Sequence, residues 1–225
     1  MTHLMTIAGL AVALRPSGAL WIETERALVV ADLHLEKGSA YAARGQLLPP
    51  WDTRETLRRL SVEIEATDPD LVILLGDTLH DGAAGTRIGE DEIAVISDIA
   101  ARRRLVWVVG NHDAEGPQGL PGEAAADLVF DGLVLRHEPR PGADHGWAAG
   151  HLHPCAKVRA QGGSTRRRCF VTDGMRIILP AFGAYAGGLN VRDAAYAGLF
   201  EGDPLAIVLG RGRSWPVLWT SLVGD

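Results

Sequence analysis

Asp32 and His34 stand two residues apart in "LVVADLHLEKG", directly behind an apolar run. In a strand, residues i and i+2 point to the same side, so the carboxylate and the imidazole are expected to grip one object together. The pattern recurs. Apolar runs at 71–76, 105–110, 133–136 and 147–150 lead into Asp77, into Asn111, His112 and Asp113, into His137, and into His151 and His153. A lone Asp after a strand is ordinarily a turn residue or a helix cap, and a lone His a satisfied polar group. A whole series of them, with runs ending in Gly-Asp and Gly-Asn-His-Asp, points to a site. Oxygen and nitrogen donors without a thiolate speak against structural zinc and iron–sulfur clusters. The same set suits two adjacent divalent cations, Mn²⁺, Fe or Zn²⁺, with one carboxylate between them to offset their charge. Such pairs, ~3.5–4 Å apart, clamp the attacking and leaving oxygens of a displacement.

Side chains so far apart in sequence need a scaffold that returns to one edge. The runs 28–31, 71–76 and 105–110 read as buried strands, and 51–66 and 91–103 as helices between them. Asp52 followed by Glu55 resembles a capping box. Residues 4–30 read as short strands broken at Pro16-Ser17-Gly18. "CFVTD" and "RIILPAF" read as a hairpin turning near Asp173-Gly174, and loops at 82–89, 116–122 and 139–146 as surface. In open α/β architectures sites assemble at the carboxyl ends of strands. The expected fold is α/β: a central pair of mixed sheets flanked by helices, with the site at one edge, formed by residues 1–225 as one domain.

The chain has 225 residues, 47% of them hydrophobic, enough for one well-filled core. Its net charge of −6 means that affinity for phosphates must be local, and bound cations would make it so. "MTHLMTIAGLAVALRPSG" lacks a basic start and reads as a strand rather than a signal peptide, and no run reaches the length of a membrane span. Cys155 and Cys169 form no C-x-x-C pattern; they are expected to be free, buried and facing each other across a hairpin, in a cytoplasmic protein.

"DLH", "GDTLHDG", "GNHD", "H" and "GHLHP", in that order over residues 32–153, resemble the motifs of the calcineurin-like metallophosphoesterases. "ADLHLEKG", "RHEPRP", "GHLHPCAKV" and "CFVTDGMRIILPAFGAYAGG" resemble the bacterial DNA-ligase-associated subgroup. That resemblance implies a metallophosphoesterase-type β-sandwich and a manganese-dependent phosphodiesterase or DNA endonuclease in DNA repair, with DNA as substrate and repair proteins as partners. It implies that Asp32, His34 and His153 hold the first metal, that Asp77 bridges, and that Asn111, His137 and His151 hold the second. Water or hydroxide between the metals would attack phosphorus, and Asn111 would also stabilise the phosphoryl oxygens. His112 matches the histidine that protonates the leaving oxygen, and Asp113 is expected to orient it. The ligands do not separate this activity from a phosphomonoesterase or a small-nucleotide diesterase, which the acidic charge favours. A non-catalytic scaffold would tend to have lost some of these positions.

His80 is read either as a substrate contact or as a loop hydrogen-bonder, and Asp81 as a turn residue. Arg166, Arg167 and Arg168 are the basic run placed to meet phosphates; Arg102–Arg104 suits a helix C-terminus instead. Trp21, Trp107 and Trp219 are expected in the core and Trp51 at the surface. His3 and His145 are expected to be inert, and "LPAFG" is read as either a wall of the site or plain strand and turn.

Overall fold

The computed structural model describes residues 1–142, 146–160 and 163–225; His145 lies outside the described residues. The first sheet runs in chain order: β1 (His3–Ile7), β2 (Leu10–Leu14), β3 (Leu20–Ile22), β4 (Ala27–Ala31), β5 (Leu71–Leu75), β6 (Arg104–Val108) and β7 (Glu123–Ala125). The first strands are antiparallel hairpins, and the pairings from β4 to β7 are parallel. The parallel part explains the continuous apolar runs: β4 and β5 are buried at every residue.

The second sheet holds β8 (Leu128–Phe130), β9 (Leu133–Arg136), β10 (Gly146–Ala149), β11 (Pro154–Ala160), β12 (Gly163–Thr172), β13 (Arg176–Ile178), β14 (Leu189–Asn190), β15 (Leu205–Gly210) and β16 (Arg213–Leu218). β12 and β13 form the expected hairpin, with Val171 opposite Ile178. The cysteines do not face each other: the register sets Cys155 opposite Arg168, so Cys169 falls one residue out of step. Both are free and buried.

The sheets pack face to face through Val29, Ile73, Leu135, Phe170 and Ile207 among others, all fully buried. Helices α1 (Lys37–Ala42), α2 (Asp52–Thr67), α3 (Ala84–Arg87) and α4 (Glu90–Arg102) lie on the first sheet side. There Leu57, Leu60, Ile64, Ile96 and Ile99 meet Val30, Val72 and Trp107. Trp21 packs half-buried against the same cluster, Trp219 against the outer face of the second sheet, and Trp51 is exposed. The capping box is not formed. Asp52 is the first helical residue, and its carboxylate accepts from the Gly38 N–H instead, tying α1 to α2. The region 82–89 carries α3, not a bare loop. Among the described residues no helix is long and apolar enough to cross a membrane.

"LPAFG" acts as a clasp between the sheets. Leu179 N–H donates to Ala149 O (2.7 Å), Phe182 N–H to Ala31 O (2.8 Å) and Gly183 N–H to Asp32 O (3.2 Å). The Phe182 ring is buried in the helix-side core. The segment after β13 therefore holds the end of β4 where Asp32 begins.

Because Phe170 fills the space between the sheets, Phe170→Ala should cost about 3–5 kcal/mol. Urea unfolding should show it, with Val62→Ala, at an exposed position, changing stability by less than about 0.5 kcal/mol.

Candidate metal centre

The ligand-type residues sit just beyond the strands, not on them. Asp32 and His34 follow β4 with φ of 53° and 45°. Asp77, His151 and His153 have φ of 44°, 69° and 47°. The i, i+2 strand geometry is thus not what unites Asp32 with His34. The chain turns through left-handed conformations that Asp and His tolerate better than most residues, at about 1–3 kcal/mol each. The loops are laced to one another: His34 N–H donates to Asp77 O (2.9 Å), Leu35 N–H to Thr78 O (2.8 Å) and His80 N–H to Leu35 O (2.9 Å).

Three groups of donor atoms result among the described residues: Asp32 with His34 and His153, Asp77 with His137 and His151, and, toward the rim, His34 with His80 and His112. In the first, the Nε2 atoms of His34 and His153 face each other at 3.2 Å. In the second, His151 Nδ1 faces His137 Nε2 at 3.2 Å, and Asn111 Oδ1 lies 3.0 Å from the same His137 nitrogen. Asp77 lies between them. Its Oδ2 is 3.3 Å from His137 Nε2 and 4.0 Å from His34 Nε2, while Oδ1 accepts from the His112 N–H (2.9 Å). Asp32 accepts from the His151 N–H through both oxygens (3.1 and 3.0 Å). Ring nitrogens aimed at one another around buried carboxylates suit cations of mixed oxygen and nitrogen preference. The donor chemistry fits two divalent ions.

Small residues make the convergence possible. A Cβ on Gly76, whose φ is +73°, would fall on the His137 ring, and one on Gly150 would meet the Asp32 carboxylate. The glycines preceding Asp77 and His151 are thus the space in which a ligand from another loop sits.

Burial holds the His34 imidazole down at about 3, with His153 pushing the same way against the pull of Asp77. Burial opposes the charge of Asp77, yet its hydrogen bond to His137 and the charges around it hold it down at about 2. His137 is burdened by burial too, but Asp77 and Asp32 raise it above the ordinary value. His80 is lowered by burial first, then by Lys37 and His112, with Arg44 adding and Asp81 opposing.

His112 is half-exposed at the rim, 3.9 Å from Asp77 Oδ2 through Nε2. Its expected partner Asp113 does not reach it. The buried Asp113 carboxylate accepts instead from the N–H groups of Gly110 (2.8 Å), Thr78 (2.7 Å) and Leu79 (3.1 Å). The group on His112 Nδ1 is the His80 carbonyl, at 2.8 Å. A backbone oxygen at that position carries no sequence signal. The His80 ring stacks on His112 at 5.6 Å and 20°.

The basic run is engaged elsewhere. Arg168 donates to Ala181 O and Ser17 O, and Arg166 to Asp225 and Gly188 O. Arg167, on the opposite face of the strand, is exposed near Gly210.

A family model described as calcineurin-like phosphoesterase matches residues 25–151. The crystal structure of Pseudomonas putida nuclease MPE superposes with a TM-score of 0.72 at 30% sequence identity, covering 96% of this chain and 100% of that one. Yfce, a phosphoesterase from E. coli, gives a TM-score of 0.41 at 14% identity, covering 80% and 87%. A search of curated proteins found no match.

Two outcomes are expected. Asp113→Ala should weaken metal binding about 10–100-fold, although Asp113 sits behind the donor atoms, because it orders the Asp77 loop; metal titration of the purified variant measures this. The metal-free protein should lose stability as pH falls from about 6.5 to about 3. An unfolded His34 takes a proton near 6.5 while the folded one resists to about 3, so the unfolded state binds more protons across that window. The raised His137 acts above this window, adding stability as pH falls toward 6.5 and no more below it, while Asp77 adds to the loss between 3.8 and about 2. Urea midpoints against pH on chelator-treated protein should show this trend, with a flatter slope for His34→Gln.

Proposed function

The chain belongs to the calcineurin-like phosphoesterase family and is a metal-dependent phosphoesterase, and from that premise we propose that it is a phosphodiesterase acting on DNA as an endonuclease, with residues 1–225 as one catalytic domain. The observation that carries this reading is the pair of donor clusters, with Asp77 a member of one and 4.0 Å from His34 of the other, and half-exposed His112 at their rim.

Asp32, His34 and His153 would hold one divalent cation, Asn111, His137 and His151 the other, and Asp77 would contribute to both. When bound, the cations, which we take to be Mn²⁺, supply Lewis acidity toward phosphorus and an acidified water as nucleophile. The residues of the chain do the rest. With Oδ1 of Asn111 turned to His137, its amide NH₂ is left to donate to a phosphoryl oxygen. His112, its Nδ1–H donated to the His80 carbonyl, gives the proton on Nε2 to the leaving oxygen as the phosphorus–oxygen bond breaks, and solvent at the rim replaces it. That transfer is worth roughly 10²–10⁴ in rate. Asp113 acts behind these groups as a positioning residue.

The chain's likeness to the Pseudomonas putida nuclease MPE, at 30% identity over 96% of its length, supports a nucleic-acid diester. We place the activity in DNA repair beside ligase-associated partners, and in the cytoplasm, where Cys155 and Cys169 stay reduced. The net charge of −6 favours a second reading, a small-nucleotide diesterase or phosphomonoesterase.

Asp77→Ala should lose metal and activity together, whereas His112→Ala should keep metal and lose turnover on an unactivated diester about 10²–10⁴-fold. Full turnover by His112→Ala would remove it as the acid. Comparing mono-aryl phosphate, bis-aryl phosphate and single-stranded or nicked DNA, with Mn²⁺ and other divalent ions resupplied, decides between the two readings.

A further inference from the structure

Many arginines of this acidic chain are held in ion pairs, including Arg54, Arg58, Arg87 and Arg104. Two cations beside the metal centre are not. Lys37 opens α1, and Arg44 lies two residues past its end. Among the described residues neither has a carboxylate within ion-pair distance. Both lie close enough to His80 for their charge to act on it. Between them, Tyr41 sets its ring 6.2 Å from the His80 ring, tilted 37°. With His80 stacked on His112, flat rings run in a row from the rim of the metal centre out along α1.

This flank is fastened in place. The Gly38 N–H is held by Asp52, Glu36 meets the Thr53 hydroxyl through both its N–H and its carboxylate, and Arg87 joins Ser39 Oγ (2.9 Å) to Asp81 (2.8 Å). Preorganised rings and free cations beside a phosphoryl-transfer site suit one kind of ligand. Bases stack on aromatic rings whatever their identity, and backbone phosphates seek unpaired Lys and Arg. An acidic peptide would use the cations but leave the ring row idle.

We propose that Tyr41, Lys37 and Arg44 bind the leaving-group side of a nucleic-acid strand, the ring row taking the base of the departing nucleotide and the cations the phosphate beyond it. This rests on the reading of His112 as donor to the leaving oxygen, which decides which side of the scissile phosphate lies over the rings. It makes the site selective for a chain of nucleotides over an isolated phosphate ester.

The test compares cleavage of a dinucleoside monophosphate with the same substrate extended by two nucleotides on one side or the other, the product ends identifying the leaving side. In the wild type, extension on the leaving side should raise kcat/KM about tenfold, mostly through KM. The double variant Lys37→Ala/Arg44→Ala should abolish most of that gain, whereas Tyr41→Ala should raise KM about tenfold for the short and the extended substrate alike, with metal content retained in both. Tyr41→Phe should keep the wild-type KM, since the ring remains. The double variant should also flatten the dependence of log KM on log salt by about 0.7 for each cation removed. A gain that survives in the double variant, or a KM that Tyr41→Ala leaves unmoved, overturns the proposal alone. A gain that comes only from the opposite side, and is lost in Arg140→Ala beside Asn111 and His137, overturns it in favour of that flank. A wild type inactive on every diester, with metal bound, overturns the diesterase reading and this inference with it.

Discussion

The Asp77 carboxylate is the point on which the centre turns. It is almost wholly removed from water, which alone would push it toward its neutral form, and it stays charged because the imidazole of His137 and the His112 N–H face it. A desolvated negative charge attracts cations far more strongly than one in water. Its two oxygens also divide their work. One fixes the loop that carries His112, and the other looks toward nitrogens from both donor groups. Without that charge the ring nitrogens of His34 and His137 would lack a common acceptor between them.

Holding the charge there requires unfavourable backbone. Asp32, His34, Asp77, His151 and His153 all adopt left-handed conformations. Strain of this kind persists only where the surroundings over-determine it. Here the surroundings are the parallel strands β4, β5 and β6, the clasp at 179–183, and the buried Asp113 carboxylate gathering backbone N–H groups from neighbouring loops. The two sheets share a dry core, so a shift in either would move one donor group against the other. Stability and site geometry are therefore set by the same contacts.

The rim differs from the interior. Inside, the Asp32, Asp77 and Asp113 carboxylates meet backbone N–H groups. At the edge, His112 is half in water, Asn111 is exposed, and the His80 and Tyr41 rings lead away from the centre. In a chain of net charge −6, divalent cations at the centre with Lys37 and Arg44, which have no ion-pair partner among the described residues, would concentrate positive potential at this rim.

The alternation of apolar runs with carboxylate and imidazole was readable in the chain itself, because burial on both faces demands continuous hydrophobic strands and donor chemistry demands particular side chains. Hence β4, β5, β6, β9 and β10 and the groups following them were legible. The order of the motifs further tied them to one family. What the chain could not reveal were relations made by backbone or by distant partners. The capping box at Asp52 gave way to a tie to Gly38, and Asp113 turned to backbone N–H groups while a carbonyl took its expected place on His112. The basic run went largely to internal acceptors, and "LPAFG" became a clasp. Every peptide unit carries the same N–H and C=O whatever its side chain. Which of them meet across 30 or 150 residues is decided only when the sheets close on their common core.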